Sequence, residues 1–316
     1  MTERTRRRIV IAGASGLVGT ALAERLEASG DEVVRLVRRP VRAEGEVRWD
    51  PVAGILDPAV VSGADAVVSL SGAPTARLPW TPAYKKVILE SRLDVTQTIV
   101  GAIRSATKAP GVFVSASAVG YYGDRGQEDL TEQSERGTGF LSAVVAAWEQ
   151  AAAPASEVTR LAFVRTGLVV GPGGAMTPLR LLARAGLAGP IGTGRQWWPW
   201  ISLRDEVAAI DHIIGSAPDA SGSPGLSGPV NLAGPTPATS GELVRALAKA
   251  LHRPYGFPAP AFALRLALQS AADELLLSSQ RMLPAALLDN GFRFTDTTVT
   301  EAIAAYFGEG DDDVEG

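Results

Sequence analysis

Cysteine occurs nowhere in the 316 residues, which rules out a disulfide framework and any metal site built on thiolates. Histidine is nearly absent too. His212 and His252 are the only two and lie far apart, so no zinc centre or other metal site is expected from them. Charge of one sign is not in excess: the formal net charge is -4 with 20% charged residues, and nothing points to a nucleic-acid partner. No window approaches the roughly 20 consecutive apolar residues that span a bilayer. The basic opening "MTERTRRR" runs into "IVIAGA", an apolar stretch closed at once by glycine, which reads as a strand rather than a targeting peptide. A soluble, cytoplasmic chain with a small-molecule substrate, and with neither nucleic acid nor membrane as partner, is the expectation.

What is present is an alternation. From residue 8 to about 166, short β-branched runs ("RIVIAGA", "DEVVRLV", "EVRW", "DAVVSL", "GVFVSA", "TRLAFVRTG") alternate with helical stretches near residues 16 to 29, 82 to 106 and 138 to 153. That rhythm predicts an α/β fold of the Rossmann type, a doubly wound parallel sheet with helices on both faces. Beyond Thr166 the rhythm breaks, and glycine and proline crowd into "GLVVGPGGAM", "GPIGTGRQWWPW" and "SGSPGLSGP". The expected organisation is a dinucleotide-binding Rossmann domain over 1–170, a smaller substrate-side cap region over 171–308 interleaved with the sheet edge, and a solvated acidic tail over 309–316. In the second half, Ser240 is the expected N-cap of the helix "GELVRALAKALH".

The segment "RIVIAGASGLVGTALAERL" sets Gly13, Gly16 and Gly19 between a strand and an amphipathic helix. In that context the first glycine turns the chain, the second admits a pyrophosphate, and the third lets helix meet sheet. Ser15, Leu17 and Val18 complete the loop and first helical turn, whose free N–H groups suit phosphate. A plain tight strand-to-helix turn would use the same glycines. Ligands in such folds bind at the carboxyl ends of the strands. That rule selects Leu70, Ser71 and Gly72 after the fourth strand, Ser115 to Ser117 after the fifth, and the backbone of Leu168 or Val169 after the sixth. Arg92 in "ESRLDVT" is a candidate phosphate ligand or an ordinary surface arginine. Asp50 either accepts from an adenine amino group or opens the "DP" turn.

The Gly-x-x-Gly-x-x-Gly spacing resembles the extended and atypical branches of the short-chain dehydrogenase/reductase superfamily. In such folds a carboxylate at the end of the second strand selects NAD, and arginine there accommodates the extra phosphate of NADP. The strand here ends "RLVRRP", placing Arg38 and Arg39 where an acid would stand. Guanidinium matches phosphate in charge and geometry, so NADP is the expected cofactor, unless the pair is only a solvated basic loop.

The resemblance implies a serine after the fifth strand, a tyrosine acid/base, and a lysine one helical turn later. An unperturbed tyrosine, pKa about 10, is ionised in about one molecule in a thousand at pH 7, so using it as a base without a nearby cation costs about 4 kcal/mol. The helix "GTGFLSAVVAAWEQ" carries Phe140 and Val144 at the expected spacing. None of the four lysines, Lys85, Lys86, Lys108 and Lys249, follows a tyrosine by four positions. The serine side is present: "FVSASAVGYYG" delivers Ser117 and then Tyr121 and Tyr122. These three are the candidate catalytic residues, with the alternative that both tyrosines only line the pocket.

A narrower resemblance rests on "LSGAP", "SRLDVTQTIV", "SASAVGYYG", "FLSAVVAAWEQAA", "VRTGLVVGPGGAM", "GPIGTGRQWWPWIS" and "LLLSSQRMLPAALLDNGFRF". Over nearly the whole chain these look like the atypical short-chain dehydrogenases known as epimerase family proteins, in which the missing Tyr–Lys pair is a family trait. Ser202 departs from a Trp-Ile-His run usual in such relatives. The resemblance implies an NADP(H)-dependent oxidoreductase or epimerase-like enzyme, with a non-catalytic NADP(H)-binding redox sensor or partner-binding protein as the alternative. In the second half, Trp197, Trp198, Arg195 and Arg204 are either a ligand platform or a hydrophobic lid and core plug, and Arg165 is a strand-end structural candidate.

Overall fold

The computed structural model describes residues 6–216 and 225–308. The acidic tail and the first half of "SGSPGLSGP" lie outside the described residues. The strands are β1 (Arg8–Ala12), β2 (Glu32–Val37), β3 (Glu46–Arg48), β4 (Ala66–Ser69), β5 (Val112–Ala118), β6 (Arg160–Thr166) and β7 (Gly228–Leu232). They form one sheet of order β7-β6-β5-β4-β1-β2-β3, with every neighbouring pair parallel. The order reverses between β1 and β4, which creates the crevice where such sheets bind ligands.

Period-two alternation sends β1's Ile9 and Ile11 to one face and Val10 and Ala12 to the other. The first face is covered by α1 (Leu17–Ala28) and α4 (Leu203–Gly215), the second by α2 (Pro82–Ser105) and α3 (Phe140–Ala152). β4, buried between both layers, is apolar apart from its final serine, as a strand covered on both faces requires. Helix α2 starts where Thr81 Oγ1 accepts from Tyr84 N, with Pro82 in its first turn.

Two expectations are corrected. The sheet has seven strands, not six, because β7 comes from the second half of the chain and pairs with β6. Its sequence "GPVNL" is short and glycine-led, a weak strand signal. The helix after residue 239, α5 (Ser240–Ala250), is capped by Thr239 rather than Ser240. Glu242 lies three residues after Thr239, and their side chains and backbone N–H groups satisfy each other reciprocally.

The second half packs its own apolar cluster, in which Trp198 and Trp200 meet Leu243 and Leu247 of α5 and Ile303 and Phe307 of α7 (Val299–Phe307), with α6 (Ala261–Leu268) between the two helices in the chain. Trp198 and Trp200 are core residues. Trp197 is half-buried, with Arg281 above its ring and Nε1 donating to Gln127. Among the described residues no helix is long and apolar enough to cross a membrane.

Candidate functional site

Three glycines decide the shape of the first loop. Gly13 has φ +90°, and a Cβ there would stand 2.9 Å from the Leu70 carbonyl carbon and 3.0 Å from Ser71 N. A Cβ on Gly19 would lie 2.1 Å from the Gly13 oxygen, so the helix can approach the loop only if residue 19 has no side chain. Gly16 is different: its Cβ would meet little, and it is the N-cap of α1 with no side chain to occupy the orphan N–H groups. Helix starts leave such donors unpaired. No acidic side chain stands in the first turn, so its partial positive charge is available to an anion. Ser15 and Gly16 are exposed and Leu17 and Val18 half-buried, and a Cβ on Gly173 or Gly174, in the loop after β6, would come into contact with Leu17.

The cradle continues across β4. A Cβ on Gly13 would also meet Ser71 Oγ at 3.0 Å, and a Cβ on Gly72 would press to 3.2 Å on the guanidinium carbon of Arg92. Arg92 donates through Nη1 to the carbonyls of Ala73 and Ile88 and stacks on Trp148 at 5.0 Å. Among the described residues it has no carboxylate partner. Burial without a counterion pulls its pKa down to about 10. Arg92 is thus a mostly buried guanidinium with backbone and aromatic partners, not the ordinary surface arginine.

At the end of β2 the two arginines part company. Arg39 is bound bidentately to Glu46, which also accepts from the N–H groups of Arg42 and Ala43. The hydrogen bond from Arg39, with those backbone donors, holds the Glu46 carboxyl down at about 2. Arg38 is exposed and makes no side-chain hydrogen bond or ion pair among the described residues. Asp50 spends Oδ1 on the N–H groups of Val52 and Ala53, the turn-closing role that the sequence offered as an alternative to adenine contact.

The serine and tyrosine candidates meet at the carboxyl ends of β5 and β6, where the register sets Ser117 beside Arg165. Ser117 Oγ donates to Glu149 Oε1 at 2.6 Å. Glu149, on α3, receives Arg165 Nε on the same oxygen and Arg165 Nη2 on the other, both at 2.9 Å. Burial alone would lower the Arg165 pKa, but the bonds to Glu149 and Tyr122 outweigh it and the net shift is upward. The guanidinium carbon lies 3.5 Å from the centroid of the Tyr121 ring. The hydroxyl of Tyr121 makes no hydrogen bond among the described residues.

Tyr122 does not share this freedom. Its side chain is fully buried, it accepts from Arg165 Nη1 at 3.0 Å, and its hydroxyl faces Asn231 Oδ1 at 2.7 Å and the Thr131 carbonyl at 3.0 Å. Burial, first, raises its pKa against the opposing pull of Arg165. It is a brace for Arg165 rather than a group that faces substrate. Ser115 is likewise sealed, its hydroxyl turned to the Ala116 carbonyl at 3.4 Å and its backbone in register between Ser69 of β4 and Phe163 of β6. Leu168 gives its N–H to the Pro199 carbonyl at 2.6 Å and pairs in parallel register with Trp200, so the backbone expected to meet a cofactor is engaged and its side chain is what remains. Phe140, in the place expected for tyrosine, is edge-on to Trp80 with Lys85 5.0 Å above it. Ser202 caps α4 by accepting from Asp205 N.

Glu149 and Asn231 are the site residues that sequence reasoning missed. A signal existed for the first: Glu149 is the only charged residue of the thirteen in α3, and a lone charge on an apolar helix needs a buried partner. Arg165, near the end of an apolar strand, is that partner.

Comparison with known proteins agrees with this geometry. The family model for the NAD dependent epimerase/dehydratase family matches residues 9–225, and a domain of unknown function, DUF1731, matches residues 259–306. An epimerase family protein of Mycobacterium bovis is 40% identical over 297 residues, covering 93% of this chain and 96% of that protein. The crystal structure of the human epimerase family protein SDR39U1 with NADPH has a TM-score of 0.83 at 31% identity, covering 94% of this chain and 98% of that one. The nucleoside-diphosphate sugar epimerase of Corynebacterium glutamicum has a TM-score of 0.76 at 34% identity, covering 96% of this chain and 59% of that one. A Rossmann sheet with an open glycine cradle, a Ser–Tyr cluster at its strand ends and these relatives together make the chain a member of the NAD-dependent epimerase/dehydratase family, in its epimerase family protein branch.

Proposed function

We propose that the protein binds NADP(H) and acts as an oxidoreductase or epimerase-like enzyme on a small molecule bearing a hydroxyl or carbonyl group. The observation that carries this reading is the line of residues at the carboxyl edge of the sheet, from Gly13 through Ser71 and Gly72, with Arg92 of α2 against Gly72, to Ser117 at the end of β5 and Tyr121 in the turn after it. The glycine loop fits a diphosphate, because side chains are excluded where a ligand's oxygens need backbone N–H groups. The bound NADPH of the human relative supports the choice of cofactor, and Arg38 supplies an uncommitted guanidinium for the additional phosphate. When bound, the nicotinamide supplies or takes the hydride. Tyr121 offers a free hydroxyl to the substrate's oxygen, and Ser117 the second polar group beside it. Leu168 lines the approach from the far side.

Calorimetric titration with NADPH and NADH tests the binding half. Single-turnover oxidation of bound NADPH across a carbonyl library, with Ser117→Ala and Tyr121→Phe controls, tests the chemistry. A second reading, a coenzyme-binding sensor without catalysis, is favoured by the enclosure of Phe140 and the bracing role of Tyr122. Tight NADPH binding with no turnover on any carbonyl would select it.

A further inference from the structure

Ser117 has one proton, and Glu149 takes it. A hydroxyl offers one donor and two acceptor sites, so with the proton on a carboxylate the remaining face of Ser117 Oγ presents lone pairs. The arrangement cannot easily rotate. Glu149 is clamped through both oxygens by Arg165, and Arg165 is fixed by its third nitrogen on the Tyr122 hydroxyl. Tyr122 in turn is held by Asn231, whose Nδ2 is spent on the Leu130 and Leu283 carbonyls, which leaves Oδ1 as the acceptor. Every group behind Ser117 is therefore committed. Tyr121, lying against the same guanidinium, keeps a hydroxyl with no bond among the described residues.

We propose that Glu149 and Arg165 are positioning residues that hold Ser117 as a hydrogen-bond acceptor, so that the site takes its ligand in the hydroxyl state. An alcohol donates its O–H to Ser117 Oγ and accepts from the Tyr121 hydroxyl. A ketone has no proton for Ser117 and meets only the tyrosine. For Ser117 to serve a ketone it must abandon the carboxylate, and loss of a hydrogen bond to a charged acceptor shifts an equilibrium by about ten- to hundredfold. The selected ligand class is thus a secondary alcohol or polyol, and the inference rests on the oxidoreductase reading given above.

Removing the charge at residue 149 loosens the clamp. In a Glu149→Gln protein one amide oxygen remains for two guanidinium donors, because Oε1 takes Arg165 Nε as well as Ser117 and Oε2 takes Arg165 Nη2. Whichever way the amide turns, an N–H of Arg165 faces NH2, and Ser117 loses its charged acceptor.

The test uses the full chain loaded with NADP+ and the matched probes cyclohexanol and cyclohexanone, which differ at the oxygen, with binding followed by ligand-observed NMR. The wild type is expected to favour the alcohol by about tenfold or more, and Ser117→Ala and Glu149→Gln to lose most of that discrimination. Circular dichroism checks the fold of each variant, and Ser117→Ala, which removes no charge, keeps the test valid if the Glu149→Gln protein does not fold. A wild-type preference for the ketone, no binding of either probe by the loaded protein, or an unchanged preference in Ser117→Ala overturns the inference alone. Failure to load any nicotinamide coenzyme overturns the cofactor reading beneath it.

Discussion

The carboxylate of Glu274 sits on the amino end of the helix that begins at Phe140, taking the N–H groups of Phe140 and Leu141 at 2.7 and 3.0 Å. Gly139, the local N-cap, has no side chain for this task, so a residue from 135 positions further along the chain caps the helix instead. An anionic cap combines hydrogen bonding with attraction to the helix dipole. Glu274→Ala should cost about 1–2 kcal/mol of stability in a denaturant melt. Glu274→Gln should cost less, and a variant as stable as wild type would show that the contact contributes nothing.

Glu206 predicts an unusual response to pH. It is fully buried on α4, with Thr166 Oγ1 donating to one oxygen at 2.8 Å and the other unpartnered. Burial raises its pKa to about 8, partly opposed by that bond. An unfolded glutamate titrates near about 4.3, so between these values the folded state binds more protons than the unfolded one and stability falls as pH rises. The contribution is fully present below the lower value and lost by the time pH passes about 8. Its slope is about 1.4 kcal/mol per pH unit at most. Glu206→Gln should flatten this part of the stability profile measured by urea titration from pH 5 to 9, and should be the more stable protein at the alkaline end.

Coenzyme preference should depend unequally on the paired arginines. Arg39 is already neutralised by Glu46, whereas Arg38 is uncommitted. Arg38→Ala should weaken NADPH binding about tenfold or more and leave NADH nearly unchanged, since a lost charge-assisted phosphate contact is worth about 1.5–3 kcal/mol. Arg39→Ala should have the smaller effect in the same titrations. Equal losses would mean that Arg39 exchanges Glu46 for phosphate.

Gly19→Ala should abolish coenzyme binding. The added methyl would overlap the Gly13 carbonyl oxygen at 2.1 Å, and backbone cannot yield as a flexible side chain does. Overpacking of this kind costs about 1–3 kcal/mol, so lower thermal stability should accompany the lost fluorescence enhancement of NADPH. Gly16→Ala, in open space, should keep the fold and test the approach of the phosphates alone.

How much of this was legible beforehand depended on whether the signal was local. Six strands and the glycine loop were readable because period-two alternation and glycine spacing are written in consecutive residues. β7 was not, because "GPVNL" becomes a strand only by pairing with β6. The Ser240 cap was off by one residue because Ser240 and Thr239 both carry capping hydroxyls, and only the reciprocal bond with Glu242 distinguishes them. Ser117 and Tyr121 are singled out by sequence from their place at the carboxyl end of β5. Their partner Glu149 lies 32 residues from Ser117, and no spacing rule joins two residues that meet only across a helix–sheet interface. Tyr122, adjacent in sequence to Tyr121, was given the same role, although the two rings meet edge to face and only one hydroxyl stays unengaged.

The origin of the seventh strand also bears on synthesis at the ribosome. A nascent chain that has emerged only as far as residue 170 carries β6 with an open row of backbone donors and acceptors, since Gly228–Leu232 is still to be translated. Such a border invites pairing with other polypeptides. Truncation there is therefore a poor way to isolate the sheet, and expression beyond Leu232 is the minimum that seals it.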